Sequence, residues 1–487
     1  MLYKNYSTSP VWRLVSLFCL LGLLSACATN PVTGSRNFAL SEDWELSAGK
    51  QYHQQIMQEY SVYPNVELQN YIDDIGQRLA KKSHRPDLEF TFTLLDSPQV
   101  NAFALPGGYV YITRGIMAYM TEEAHLAGVI GHEIGHVTAR HSAQRAAQQQ
   151  LAGVATIGAA ILTGSSDVAQ LSQMLGGALM SGYGRKQELE SDRLGAEYIA
   201  QNDYDVNDMI GVIGILKDQE LFAAAKARAE GRQEQSYHGA YSTHPRNDTR
   251  LQEVIKAAKR FENPAANKDD GGRFLRLTDG MAFGDSEAQG ITRGNKFYHK
   301  SLNLFVEFPI GWTVQNAPTM LNALSPDRTQ AIRIQMDKIG DDMNAAQYLN
   351  SKFSNLQSAQ YVDSPFGQAY AGVASIRDQQ SGQTQNVLVS AVKRADQAYV
   401  VAGLGKSTLP NREFFEVTKA MRELKRSERE LATGRTIKVI KAKRGDTFAS
   451  LAKQANLDEY AEAQLRLING MYPDGEPTPG QSIKVIE

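Results

Sequence analysis

His132-Glu133-Ile134-Gly135-His136 is the part of this sequence best suited to chemistry. Residues four apart on a helix lie on one side, so both imidazoles can reach a single metal ion. Glu133 stands beside them, where a carboxylate can take a proton from a water that such an ion has made acidic. A catalytic zinc takes three protein ligands and keeps a fourth position open. A third histidine six residues on is excluded, because Ser142 stands there and Ala139 occupies the place of the intervening glycine. Cysteine is excluded too, since the only two, Cys19 and Cys27, sit at the N-terminal end. A carboxylate from a second helix remains, and Glu188-Leu189-Glu190-Ser191-Asp192 supplies one. Glu188 and Asp192 are one turn apart, so one can bind metal while the other orients a ligand histidine from behind. Glu190 falls on a different face.

The elements that must hold these groups are readable from periodicity. Thr121, with Glu122 and Glu123 in the first turn, opens a helix whose Leu126, Ile130, Ile134 and Val137 form one buried stripe. The two histidines fall roughly opposite that stripe, facing a cleft. Earlier helices are expected over 41–60, behind a capping Ser41, and over 65–82. Phe90, Phe92 and Leu94 alternate as a strand, Asn101 to Pro106 is a second extended piece, and Gly107-Gly108 turns into a third. The apolar stretch 151–164 is too short to span a bilayer and reads as a packed helical hairpin. A helix carries Glu188 to Ala200. The turn-rich stretch 262–272 reads as a linker. Beyond it, strands near 304–312, 331–336, 386–392 and 398–404 and helices near 344–356 and 413–424 describe a small α+β domain.

Several motifs in order resemble one family. Asn101-Ala-Phe-Ala-Leu-Pro-Gly-Gly108, Gly131 to His141, and Glu188-x-Glu-x-Asp192-Arg193 are similar to HtpX-like and CAAX-prenyl-protease-type zinc metallopeptidases, in their soluble envelope lipoprotein branch. Cys27 to Gly34 resembles the start of that branch, and the likeness covers about residues 27–260. It implies a gluzincin-like, mostly helical fold with a small sheet. It implies that His132, His136 and Glu188 hold one Zn2+, with Glu133 catalytic and Asp192 behind a ligand. Asn101, Ala102, Phe103 and Ala104 match an edge strand above the metal, to which an extended substrate backbone could pair. His244, in Ser242-Thr243-His244-Pro245, matches a histidine that caps the zinc at rest or stabilises the tetrahedral intermediate. Tyr237, His238 and Tyr241 are further oxyanion candidates. Arg140 and His141 read as structural, binding helix ends or neighbouring carboxylates. Phe308-Pro309-Ile310-Gly311-Trp312 is weakly similar to PsbP-like domains. Gly445-Asp446-Thr447, Leu467 to Gly470 and Pro479-Gly480-Gln481 resemble a LysM-type module, which binds peptidoglycan-like glycans.

The expected fold class is therefore α+β: a mainly helical metallopeptidase domain with a small sheet, a small α+β domain, and a LysM-like β-α-α-β module. The expected boundaries are a signal peptide 1–26, a tether 27–40, the metallopeptidase domain 41–261, the linker 262–272, the α+β domain 273–430 and the terminal module 435–487. Lys4 and Arg13 before an apolar run, then Leu24-Ser25-Ala26-Cys27, resemble a bacterial lipoprotein signal with lipidation at Cys27. Ala28 after that cysteine fits sorting to the outer membrane. A formal net charge of -2 excludes the strong basic field of a nucleic-acid binder. The function implied is hydrolysis of peptide bonds in unfolded or misassembled envelope proteins. The rival readings are a chaperone-like assembly factor with restrained proteolysis and a wall-binding lipoprotein.

Overall fold

The computed structural model describes residues 27–34, 36–148, 183–231, 254–256, 259–261, 271–317, 320–353, 356–377, 384–405, 412–454 and 460–487. The chain begins with a short antiparallel pair, β1 (Cys27–Thr29) and β2 (Arg36–Phe38). Helix α1 (Glu42–Glu59) follows, its first turn capped by the Ser41 hydroxyl, which accepts from the Trp44 N–H at 3.2 Å. Asn65 caps α2 (Val66–Lys81) in the same way at Leu68. Strands β3 (Thr91–Leu95), β4 (Ala102–Leu105) and β5 (Tyr109–Thr113) form a three-stranded sheet in the order β3-β5-β4, which leaves β4 at an edge. The turn between β4 and β5 needs glycine. Gly108 has φ +94°, and a Cβ there would lie 2.2 Å from the Glu89 carbonyl oxygen. A four-residue turn, α3 (Arg114–Met117), then leads to α4 (Glu123–Thr138).

Helix α4 is buried more fully than a single apolar stripe requires. Leu126, Ile130, Ile134 and Val137 are in the core as expected, but every residue of the helix except His125 is buried. Neighbours enclose it on all sides: α2, β4 and β5, then α5 (Arg185–Ala200) and α6 (Asp208–Ala229). His132 and Glu133 line a pocket beside the helix. No helix among the described residues is long and apolar enough to cross a membrane.

The chain beyond the first unit builds two more layers. Helix α7 (Arg273–Thr278) and strand β6 (Ala282–Phe283) stay with the first unit, where Phe274 and Met281 share its core. A three-stranded sheet follows, of β7 (Ile291–Arg293), β8 (Lys296–His299) and β9 (Leu304–Glu307). It packs near a seven-stranded antiparallel sheet of β10 (Thr313–Ala317), β11 (Met320–Leu324), β12 (Gln330–Lys338), β13 (Gln357–Val362), β14 (Gln368–Arg377), β15 (Thr384–Arg394) and β16 (Gln397–Gly405). Alternate residues of β15 serve its two faces. Leu388 and Val392 pack with α9 (Arg412–Ala420), whereas Val387, Val389 and Ala391 pack with α8 (Ala345–Lys352). The overall class is α+β.

The C-terminal unit runs β17 (Arg435–Lys441), α10 (Phe448–Gln454), α11 (Ala461–Ile468) and β18 (Ser482–Ile486), with β17 and β18 antiparallel and β6 added beside β17. A lysine fastens it to the first unit. Lys484 is fully buried, and its Nζ donates to the carbonyls of Ala118 and Met120, both at 2.6 Å. Those carbonyls belong to the loop that enters α4. Burial pushes the Lys484 ammonium down from its ordinary value to about 7. A neutral amine still has two N–H donors for the two carbonyls. The unfolded chain holds this proton to higher pH than the folded one, so stability rises as pH climbs from about 7 towards the ordinary lysine range. Thermal unfolding between pH 7 and 9 is expected to show that rise in the wild type and to lack it in Lys484→Met.

Candidate active site

Two helix backbones touch at this site. A Cβ on Gly131 would lie 3.2 Å from the Gly195 carbonyl oxygen, one on Gly135 would lie 3.1 Å from the Ser191 Cα, and one on Gly195 would meet the His132 nitrogen at 3.0 Å. Glycine on both sides lets α4 and α5 approach with little between them. Short side chains can then meet across the contact. His132 Nε2 and His136 Nε2 are 3.0 Å apart, and the Glu188 carboxylate lies 3.6 Å from the first and 3.4 Å from the second. All three groups are buried.

These separations fit a zinc ion. Ligands about 2.0–2.2 Å from a tetrahedral centre stand about 3.3 Å from one another, and the observed spacings bracket that value. Two neutral ring nitrogens and one carboxylate are also a donor set that zinc favours. His132, His136 and Glu188 are the residues that would hold it. Behind them, the Asp192 carboxylate lies 2.9 Å from His132 Nδ1. An ionised carboxylate only accepts, so that contact puts the proton on Nδ1 and leaves Nε2 bare towards Glu188.

A second tier of residues was not apparent from periodicity. Tyr183 stacks on His136 with ring centroids 3.7 Å apart, and its hydroxyl reaches Ser142 at 3.1 Å. Burial raises its phenol to about 12. Arg140 has φ +61°, a left-handed conformation that costs a non-glycine residue roughly 1–3 kcal/mol. Its guanidinium is held by Glu45 at 3.0 Å and by the Leu40 carbonyl at 2.7 Å. The structural reading of Arg140 thus has a definite partner on α1. Glu190 does not reach the metal cluster but lies 3.2 Å from His141 Nε2.

The remaining expected residues are placed as follows. Ala102, Phe103 and Ala104 lie in edge strand β4, and Asn101 immediately precedes it. Ala102 borders a cavity that also touches His132, Glu133 and Asp192, its apolar wall including Ile116, Val129, Met209, Val212, Ile213 and Leu216. His244, Tyr237, His238 and Tyr241 lie outside the described residues, as does most of the linker. Cys27 is described only as the first residue of β1.

A buried histidine pair and a carboxylate from a second helix form a group that could hold one metal ion, in an α+β unit with an edge strand alongside. Residues 67–258 match the model of Peptidase family M48. A beta-barrel assembly-enhancing protease of Yersinia pestis is 30% identical over 260 residues, 51% of each chain. A putative beta-barrel assembly-enhancing protease of Vibrio cholerae is 32% identical over 194 residues, 38% of this chain and 40% of the relative. The mitochondrial metalloendopeptidase OMA1 of Schizosaccharomyces pombe is 30% identical over 185 residues, 36% of this chain and 53% of the relative. The chain thus spans about half the length of the curated relatives it matches. The solution structure of a cyanobacterial PsbP from Synechocystis aligns with 28% of this chain and 96% of its own at 11% identity and a TM-score of 0.21.

Asp192→Asn tests the contact behind His132. An amide can present an N–H where the ring nitrogen already carries its proton. Zinc affinity, read by competition with a chromophoric chelator, is expected to fall ~10–100-fold; affinity equal to wild type would show that Asp192 does not orient the ligand.

Proposed function

We propose that this chain is a zinc-dependent endopeptidase of the bacterial envelope, cutting unfolded or misassembled envelope proteins in quality control or outer-membrane assembly. The observation that carries this reading is the convergence of His132, His136 and Glu188 next to Glu133. Zinc, when bound, supplies polarisation of the scissile carbonyl and makes a nearby water acidic. Glu133 follows His132 directly on α4 and borders the same cavity. It takes the proton of the attacking water and passes it to the leaving amine. Asp192 keeps His132 in the tautomer that faces the cluster. We assign His244 to the substrate oxygen, where it stabilises developing negative charge, or to closure of the site at rest.

The supports for substrate class are geometric. Strand β4 has no second strand on its outer side among the described residues, so the Asn101–Ala104 segment can offer an extended backbone an edge and give affinity with little sequence preference. Asn101 itself is bonded to Thr113, and the Tyr183 hydroxyl at the Ala104 carbonyl would have to yield. The cavity beside Glu133 is lined mainly by aliphatic groups and would receive an apolar side chain next to the cut. Folded proteins bury such side chains and unfolded ones present them. The names of the relatives from Yersinia pestis and Vibrio cholerae support a role in barrel assembly. We place the chain at the periplasmic face of the outer membrane, anchored by lipid on Cys27, and read residues 435–487 as LysM-like with peptidoglycan as the ligand class.

Two outcomes test this. Glu133→Gln is expected to bind zinc as wild type does and to lose about 10²-fold or more in casein cleavage. Full activity in a zinc-loaded Glu133→Gln chain contradicts the role. If wild type, His244→Ala and Glu133→Gln all fail to cut but all suppress aggregation, the chaperone-like reading replaces this one. Val212→Trp, which fills the cavity, is expected to raise KM for peptides with leucine beside the cut and to spare those with alanine, as read from initial rates on a matched peptide pair.

A further inference from the structure

The second zinc histidine has a support of its own. His136 Nδ1 stands 2.9 Å from His141 Nδ1, and His141 Nε2 stands 3.2 Å from the Glu190 carboxylate. The Ser191 hydroxyl, at 3.4 Å, is a weaker neighbour of the same His141 nitrogen. His141 is fully buried and Glu190 half-buried. With Glu190 ionised and His141 neutral, the proton positions follow from these contacts. An ionised carboxylate accepts, so His141 Nε2 carries the hydrogen. A neutral His141 then has a bare Nδ1, which must accept from His136 Nδ1–H. That leaves the His136 Nε2 lone pair facing His132 and Glu188, as a metal ligand requires.

We infer that His141 and Glu190 are positioning residues that form a relay, Glu190 to His141 to His136, fixing the tautomer and ring plane of the second zinc ligand. The inference rests on the metal-site reading above.

Backbone geometry explains how a residue five positions after His136 comes to lie beneath it. Helix α4 ends at Thr138, and the left-handed turn at Arg140 swings the chain back. Glu45 on α1 holds that turn through Arg140. The two ligand histidines are thus held by different carboxylates of one helix, His132 directly by Asp192 and His136 through His141 by Glu190.

Zinc affinity of the full mature chain, by chelator competition, tests the relay. His141→Leu keeps apolar bulk and removes the acceptor, and is expected to weaken zinc binding ~10–100-fold. His141→Asn places an oxygen where Nδ1 stood and is expected to recover most of that loss. Glu190→Gln, at a half-buried position that disturbs folding little, is expected to fall between them. Thermal unfolding of the metal-free chains should be similar throughout, which a packing role would not give. If both Glu190→Gln and the His141 variants bind zinc within about threefold of wild type, the relay is wrong while the endopeptidase reading stands. If His141→Asn is as weak as His141→Leu, the acceptor role is wrong. A wild-type chain that binds no zinc overturns both.

Discussion

The site depends on how closely α4 and α5 approach. Imidazole and carboxylate side chains are short, and they meet around one point only if their helix axes are nearer than ordinary side chains allow. Gly131 and Gly135 on one helix and Gly195 on the other provide that approach, with Ser191 as the small residue between. A methyl group at Gly195 would press on the His132 backbone and move a ligand, so at this contact packing and chemistry are the same constraint. The surrounding core then fixes it. Helix α4 is enclosed on every side, and its ligands are held by a rigid element rather than a loop.

Buried charges extend this rigidity outwards. Arg114, buried at the start of the turn before α4, pairs with Asp96 at 2.6 Å, and Ser286 donates to the same carboxylate from the segment that follows β6. Lys484 ties the C-terminal unit to the loop entering α4. Glu45 gathers Arg85 and Arg140 at the other end of that helix. Removing one partner of a buried ion pair such as Arg114–Asp96 leaves an uncompensated charge, a loss of about 3–5 kcal/mol, so such contacts specify geometry even where their net stabilisation is small. Ser286 and Lys484 link the appended units to the segments leading into the helix that carries the motif, and Glu45 holds its far end from within the first unit.

Much of this was legible in the sequence because local rules and global packing agree there. The spacing of His132 and His136, the need for a distant carboxylate and the one-turn offset of Glu188 and Asp192 are consequences of helical period. The cap at Ser41, the glycine turn before β5 and the β-α-α-β order at the C-terminus follow from side-chain chemistry and alternation. What escaped has a common cause: it depends on which elements become neighbours. The enclosure of α4 on its histidine side is set by β4 and α6, far away in the chain. The stacking of Tyr183 on His136 and the partnership of His141 with Glu190 are tertiary. Even so, Gly128, Gly131 and Gly135 at intervals of three and four were a visible stripe of small residues beside the ligands. The displacement of residues 273–283 into the first unit is likewise tertiary, because Phe274 and Met281 find their partners in a core built earlier in the chain.

The convergence of two imidazoles and one carboxylate on a single ion can be observed directly. Zinc K-edge X-ray absorption of the metal-loaded mature chain should show two imidazole nitrogens with oxygen donors at about 2.0–2.2 Å, and Glu188→Ala should alter the oxygen part of that shell while keeping both imidazoles. A spectrum with fewer than two imidazoles, or one left unchanged by Glu188→Ala, would contradict the account.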